Sequence, residues 1–239
     1  MCAYALNAPG TPGSTKLLGC RDVVAKHRPF GALDHVSQVP GGGGVRGWTI
    51  DPDTTGPVTV HAYVGGRAVR SAVADRYRPD VGTAFPGYGD SHGYSAVAPL
   101  ASTEGPQSVC VYALNVAGSA GSSSRLGCRT LDVRHRPLGR LDGVRISGGR
   151  LTAEGWALDP DTAASIAVHL YVDGRPVSAT SASLTRHDIA AAFPGYGPAH
   201  GYRVSASVPP GAHRACVYAL NAAGTPGSSV LLGCATASS

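Results

Sequence analysis

The chain has 239 residues, which fits one large domain or two domains of about 100 to 120 residues each. Hydrophobic residues make up 43% and charged residues 15%, and there are 33 glycines and 18 prolines. This composition excludes a disordered tail, and without a long apolar run we expect no membrane insertion. The net charge is +5, but no basic cluster alternates with aromatic residues, so we expect no nucleic-acid partner.

An internal repeat organises the chain. The segment GWTIDPDT at 47–54 returns as GWALDPDT at 155–162, an offset of 108 positions. The same offset relates the Phe-Pro-Gly-Tyr-Gly loops that begin at Phe85 and Phe193. The chain therefore contains two similar bodies.

A cysteine segment occurs three times, at 2–20, 110–128 and 216–234. Each copy begins Cys-x-Tyr-Ala-Leu-Asn, continues through glycine and serine, and ends in Leu-Gly-Cys. A His-Arg-Pro linker follows each of the first two copies, so we place the segment at the end of its repeat. The predicted organisation is the C-terminal hairpin of a truncated preceding repeat plus a linker at 1–26, one β-sandwich repeat at 27–134 and a second at 135–239.

Alternation of apolar and polar residues predicts strands rather than helices. Every second residue of 58–64 is Val or Ala, and 166–172 repeats the pattern with Ile, Val and Leu. Gly65-Gly66 and Asp173-Gly174 follow these segments and predict tight hairpin turns. About seven short strands per hundred residues predict an all-β protein with two tandem β-sandwich modules of the immunoglobulin or fibronectin III type. The tryptophan of each repeat is expected to anchor its core.

The paired cysteines predict cross-strand disulfides. If the two strands of a segment run antiparallel, Cys110 faces Cys128 and Tyr112 faces Leu126. Zinc is the competing use of paired cysteines, but no Cys-x-x-Cys spacing or histidine partner occurs. Each closed loop removes roughly 3 kcal/mol of denatured-chain entropy, and disulfides indicate an oxidising, extracellular location. The predicted pairs are Cys2 with Cys20, Cys110 with Cys128, and Cys216 with Cys234.

The motifs of the two bodies carry a resemblance to a known family. Both contain Gly-Trp-x-x-Asp-Pro-Asp-Thr, Val-His-x-Tyr-Val-x-Gly, Arg-x-Asp, Phe-Pro-Gly-Tyr-Gly-x-x-His-Gly-Tyr and Cys-Val-Tyr-Ala-Leu-Asn to Leu-Gly-Cys. This pattern resembles the Cys-containing Ig-like repeats of secreted actinobacterial proteins, which are often C-terminal to cell-wall hydrolases and peptidases. The resemblance implies a non-catalytic accessory or spacer module at the cell envelope, with an adjoining domain of a longer chain as its partner.

The two Asp-Pro-Asp-Thr turns contain four candidate metal ligands: Asp51, Asp53, Asp159 and Asp161. Calcium prefers at least about six oxygen ligands, and the Asp-x-Asp-x-Asp-Gly loop is not present. Asp and Pro also form turns in which the side chain accepts hydrogen bonds from backbone amides. We favour the turn, and we expect no metal and no cofactor.

The tyrosine loops of the two bodies are the candidate ligand-binding segments, through Tyr88, His92, Tyr94, Tyr196, His200 and Tyr202. A tyrosine ring stacks on a sugar ring, and glycine lets a ligand approach the backbone. These loops therefore predict binding of cell-wall polysaccharide or peptidoglycan as an alternative function. In the competing structural interpretation, Phe85 and Phe193 close the ends of the sandwiches.

No residue is predicted to be catalytic. His61 and His169 lie on the polar face of a strand, but catalysis also requires a nucleophile and an orienting acid. Neither a Gly-x-Ser-x-Gly elbow nor a His-Glu-x-x-His motif occurs. We therefore expect no enzyme activity in this chain, and the alternative is the C-terminal part of a hydrolase or peptidase whose catalytic domain lies outside it.

The first cysteine segment has no body of its own. A lone hairpin is marginally stable in water and exposes strand edges. Its short link to His27 favours docking on the first repeat. We therefore expect a monomer with a weak tendency to associate.

Overall fold

The computed structural model describes residues 1–22 and 25–239, and these form β-strands apart from two short helices. β1 (Cys2–Ala5) pairs antiparallel with β2 (Lys16–Cys20) in a separate two-stranded sheet. The other described strands form four sheets of four strands each. The all-β prediction is therefore confirmed.

Residues 30–133 form two sheets that we call the first sandwich. Its elements are β3 (Phe30–Val39), β4 (Gly42–Ile50), β5 (Thr59–Val64), β6 (Arg67–Val73), β7 (Arg76–Tyr77), α1 (Pro79–Ala84), β8 (Ser91–Ala98), β9 (Gly105–Ala113) and β10 (Ser124–Val133). One sheet has the strand order β3-β4-β8-β7 and the other has the order β10-β9-β5-β6. All of these pairs are antiparallel.

Residues 138–238 repeat this arrangement as the second sandwich. Its elements are β11 (Leu138–Ser147), β12 (Arg150–Leu158), β13 (Ala167–Val172), β14 (Arg175–Ser181), β15 (Leu184–Thr185), α2 (His187–Ala192), β16 (Ala199–Ser207), β17 (Ala212–Ala219) and β18 (Val230–Ser238). The strand orders are β11-β12-β16-β15 and β14-β13-β17-β18. No helix in the described part of the chain has the length and hydropathy that crossing a bilayer requires.

The core of each sandwich lies between its two sheets. Along β5 exposure alternates, with Val60, Ala62 and Val64 buried, and β13 alternates in the same way. In the first sandwich, Val60, Ala62 and Val64 cluster with Leu33 and Val45 of the facing sheet. The period-two pattern thus places the apolar side chains of both sheets against each other.

The predicted hairpin turns are confirmed in both sandwiches. Gly65 and Gly66 join β5 to β6 with φ angles of 56° and 81°. Asp173 and Gly174 join β13 to β14 with φ angles of 50° and 79°. Positive φ at both central residues is typical of the type I′ turn, whose twist matches that of the flanking strands.

The tryptophans are half-buried in hydrophobic clusters but do not lie between the two sheets, which corrects the expectation that they anchor the cores there. Trp48 packs against Phe30 and Phe85, with ring centroids 5.9 and 5.3 Å away. The segment that contains α1 supplies Phe85, and Trp156 belongs to an equivalent cluster in the second sandwich. Side chains of a strand alternate between the two faces of its sheet. The face toward the second sheet carries the buried Tyr94, and the tryptophan lies on the opposite face.

All three predicted disulfides are present, and the described chain contains no free cysteine. Cys110 faces Cys128 across β9 and β10, as predicted. The predicted pairing of Tyr112 with Leu126 is wrong, because Tyr112 faces Arg125. A β-bulge at Leu126 shifts the register, since two residues of β10 oppose one residue of β9 there.

The hairpin of β1 and β2 does not dock on the first sandwich, which corrects the sequence expectation. Every residue of 1–22 is exposed, including Tyr4 and Leu18. In the described chain its hydrogen bonds stay within the segment, as between Met1 and Arg21. The edge of β5 that would receive such a strand is already paired with β9.

Candidate functional site

The first aspartate of each Asp-Pro-Asp-Thr turn is buried and attaches the turn to the cysteine segment. Asp51 accepts hydrogen bonds from the backbone N–H groups of Asp53 and Val116, both at 3.0 Å. Asp159 accepts the two equivalent bonds, both at 2.9 Å. Both oxygens of each carboxylate are thus occupied by amides, as in a structural turn. Among the described residues, no group of three or more His, Cys, Asp or Glu side chains is placed to hold a metal ion.

The second aspartate of each turn pairs with the histidine of the preceding linker. His27 Nδ1 lies 2.8 Å from Asp53, and His135 Nδ1 lies 2.9 Å from Asp161. Their exposure differs, because the His27 side chain is 42% exposed and the His135 side chain is 4% exposed. The first sandwich covers His135, whose Nε2 donates to the carbonyl of Ala101 at 2.9 Å.

The contacts of His135 define its protonation state. The carboxylate of Asp161 and the carbonyl of Ala101 both accept hydrogen bonds, so this site favours the imidazolium form, in which each ring nitrogen carries a proton. Burial opposes this charge, but the hydrogen bonds to Ala101 and Asp161 outweigh it and raise the pKa of His135. Burial raises the pKa of Asp161, while the imidazolium opposes that rise. We assign the ion pair, because the ring has two acceptors beside it.

Two polar side chains of the first sandwich hold the linker to the second sandwich. Glu104 accepts hydrogen bonds from the backbone N–H groups of His135 and Arg136, both at 3.0 Å. Gln38 accepts from the N–H of Arg134 at 3.0 Å, and its amide donates back to the carbonyl of that residue. We call this set of contacts the junction. Sequence reasoning missed Glu104 and Gln38, because single polar residues in unrelated segments carry no spacing signal.

The tyrosine loops fold inward. Five of the six candidate ligand-binding side chains are buried, namely His92, Tyr94, Tyr196, His200 and Tyr202. The hydroxyl of Tyr94 donates to the carbonyl of Ala32 at 2.9 Å, and Tyr202 makes the equivalent bond at 3.0 Å. Burial raises the pKa of both phenols. Their rings pack inside the protein, so this arrangement does not fit the interpretation of these five as ligand contacts.

The loop histidines and the remaining tyrosines support the same structural role. Nε2 of His92 donates to the carbonyl of Tyr88 at 2.9 Å, and Nε2 of His200 donates to that of Tyr196 at 3.1 Å. The hydroxyl of Tyr196 donates to the carbonyl of Pro160 at 2.8 Å, and burial raises its pKa to about 12. Tyr88 is half-buried and is the one candidate ring that solvent reaches.

An arginine cluster on each sandwich holds the segment before the helix. Arg78 donates from Nε and Nη2 to the carboxylate of Asp80 at 2.8 and 2.7 Å, and from Nη1 to Asp34 at 2.8 Å. The guanidinium lowers the pKa of Asp80 to about 2. Arg186 makes the same three bonds in the second sandwich. Asp80 belongs to the Arg-x-Asp motif, whereas nothing in the sequence indicated Asp34, which lies on β3.

The strand histidines have no catalytic neighbours in the described chain. His61 lies opposite Tyr112, and His169 lies opposite Tyr218. Both histidines are half-buried on their strands. Neither forms a hydrogen bond with a serine or a carboxylate among the described residues, so the arrangement offers no activated nucleophile.

No protein-family model matches the chain, and no curated protein matches its sequence. Fibronectin(III)-like modules of CbhA from Clostridium thermocellum are similar with 12% identity and a TM-score of 0.29, over 87% of this chain and 93% of that one. A DUF3823 family protein from Bacteroides ovatus is similar with 8% identity and a TM-score of 0.30, over 89% of this chain and 99% of that one. A marsupial T cell receptor has 7% identity and a TM-score of 0.30, over 89% of this chain and 73% of that one. Scores this low carry no inference about ligand, partner or activity.

Proposed function

We propose that this chain is a non-catalytic, secreted accessory module, which spaces or attaches an adjoining domain at the cell envelope. Its two repeats are residues 27–134 and 135–239. The three disulfides support an oxidising compartment, where such bonds persist.

The observation that carries the proposal is the junction. A flexible linker leaves its backbone amides to water, whereas successive amides at Arg134, His135 and Arg136 donate to side chains of the first sandwich. The imidazolium of His135 then joins the Ala101 carbonyl to Asp161 of the second sandwich. Hydrogen bonds on both sides of the linker support a fixed spacing between the two repeats.

The use of the polar side chains supports a role without catalysis. The buried aspartates bond backbone amides, and the buried tyrosines bond backbone carbonyls. The same bonds occur in both sandwiches, as expected for residues that serve the fold. A purified chain that hydrolyses peptidoglycan would overturn this part of the proposal.

Residual dipolar couplings test the fixed spacing. In the wild-type chain one alignment tensor is expected to fit the amides of both sandwiches. Glu104→Ala removes the acceptor of two linker amides, so two different tensors are expected. Glu154→Ala is the matched control, because this glutamate lies on β12 away from the junction and one tensor should still fit. Two tensors in the wild type would contradict a rigid spacer.

A further inference from the structure

Each sandwich has a shallow cleft on its first sheet, and the two clefts lie at equivalent positions. The first cleft has a volume of about 390 Å³ and the second about 340 Å³. The first cleft is lined by Arg46, Arg76, Tyr77, Arg78 and Ser95, together with Gly47, Gly93 and Tyr94. The second cleft is lined by Asp142, Glu154, Leu184, Thr185, Arg186 and Arg203, together with Gly155, Gly201 and Tyr202. The shape is therefore repeated, while the side chains differ.

The fold requires the glycine floor of both clefts. A Cβ atom on Gly93 would lie 2.7 Å from Cγ of Arg78, and one on Gly201 would lie 2.9 Å from Cγ of Arg186. The arginine clusters thus lie directly over these strands, and their positive charge is matched by two aspartates each. The shared scaffold has a structural reason, so any difference in binding must come from the other side chains.

The second cleft is electrostatically satisfied by its own residues. Glu154 accepts hydrogen bonds from Arg145 at 3.0 Å and from Arg203 at 3.1 Å. These two guanidinium groups lower the pKa of Glu154. Leucine and threonine occupy the edge strand β15. Counted with the arginine cluster, in which Arg186 pairs with Asp142 and Asp188, three guanidinium groups are paired with three carboxylates at this cleft.

The first cleft has the opposite charge at the same place. Arg46 stands where the second repeat has Glu154, and Ser37 and Ser95 stand where it has its two arginines. Arg76 adds a second cation on β7. In the described chain neither Arg46 nor Arg76 forms an ion pair, and both are exposed. His35 faces Arg46 from β3 and adds no negative charge.

An aromatic ring lies beside the two cations. Tyr77 follows Arg76 on the edge strand and is 71% exposed. Arg46 and Arg76 pair with Ser95 and Gly93, which are two residues apart on β8. Two strand spacings and two residues of rise place their Cα atoms about 12 Å apart. This spacing suits two separate anionic groups of one extended ligand.

We propose that the first cleft binds an acidic polysaccharide, with Arg46 and Arg76 holding carboxylates on the chain and Tyr77 packing against a sugar ring. A guanidinium presents a planar pair of N–H donors that matches a carboxylate, and an exposed tyrosine ring offers a face to a sugar. The inference goes beyond the spacer function, because it rests on this cleft and not on the junction.

Calorimetric titration of the intact chain with galacturonate oligosaccharides, at about 0.15 M salt to screen weak attraction, tests the proposal. Arg46→Glu and Arg76→Leu each give the first cleft a residue of the second, and each should weaken binding about tenfold. Arg67→Glu is the matched control, because Arg67 is exposed on β6 and its replacement changes the net charge as much as Arg46→Glu does. It should change the affinity less than about twofold.

Three results would overturn the proposal. The first is a wild-type chain that does not bind the oligosaccharide at millimolar concentration. The second is an equal loss of affinity in Arg46→Glu and Arg67→Glu, which would indicate attraction by net charge alone. The third is equal affinity for poly(glycerol phosphate) or single-stranded DNA, which would indicate a general anion surface. Tyr77→Ser should weaken binding to the sugar chain while leaving the melting temperature unchanged.

Discussion

Removing one buried carboxylate should destabilise one sandwich and spare the other. Asp159 is fully buried, and Asp159→Ala leaves the backbone N–H groups of the half-buried Asp161 and Ala222 without their acceptor. An orphaned donor costs about 1 to 3 kcal/mol when it is buried, so two donors cost about 2 to 6 kcal/mol, and their half-burial places the expected loss toward the lower end of that range. That is a large part of the stability of a small domain, which is about 5 to 15 kcal/mol. Asp159→Asn keeps one acceptor oxygen and should lose about half as much.

Hydrogen exchange with peptide resolution measures this loss in each sandwich separately. In Asp159→Ala, amides of β13 and β17 should exchange faster, while those of β5 and β9 stay protected. Asp51→Ala is the matched variant, and it should reverse the pattern because Asp51 makes the same bonds in the first sandwich. A loss below about 0.5 kcal/mol, the ordinary effect of a surface substitution, would refute the reasoning. A melting temperature that calcium raises in the wild type but not in Asp159→Ala would also refute it, because the carboxylate would then be a calcium ligand.

The aspartate turns, the contacts of His135, the separate hairpin and the disulfides each give one prediction. Addition of EDTA should leave the melting temperature of the wild type unchanged, since amides occupy the buried carboxylates; a fall of several degrees that calcium specifically reverses would contradict this. The raised pKa of His135 stabilises the junction fully below the unfolded value of about 6.5, and this stability is lost as the pH rises through the folded value. An NMR titration should therefore give an apparent pKa of His135 above about 6.5, and a lower one would remove the imidazolium from the junction. Deletion of residues 1–24 should leave the melting of both sandwiches nearly unchanged, because the hairpin makes no hydrogen bond to them in the described chain; unfolding of the first sandwich would show that the hairpin belongs to it. An unreduced sample should contain no free thiol, and proteolysis should release three linked peptide pairs, each within one cysteine segment.

Local patterns in the sequence were sufficient for the strands, turns and disulfides. Period-two alternation predicted β5 and β13, and glycine after each strand predicted the hairpin turns. The register error at Leu126 arose because a β-bulge has no signal in the alternation itself. The tryptophan error arose because alternation shows that two faces exist but not which face meets the second sheet.

The candidate site was less predictable, because its contacts join residues that are far apart in the chain. His92 and Tyr94 belong to a glycine-rich segment that is typical of an exposed binding loop, yet β8 carries both into buried positions. Glu104 accepts hydrogen bonds from two linker amides, and Gln38 bonds the amide and the carbonyl of Arg134. Such contacts depend on how the sheets and the linker are placed in space, and no local periodicity encodes that placement.

The two repeats provide an internal comparison that separates structural residues from free ones. The buried aspartate, the buried tyrosine and the paired arginine are identical in both sandwiches, and each makes the same bonds twice. Their identity is therefore explained by the fold and is weak evidence for a ligand. Arg46 and Glu154 occupy equivalent places on the same scaffold with opposite charge. Because the fold accepts either residue there, a ligand of this chain is best sought where the repeats differ, on the first cleft.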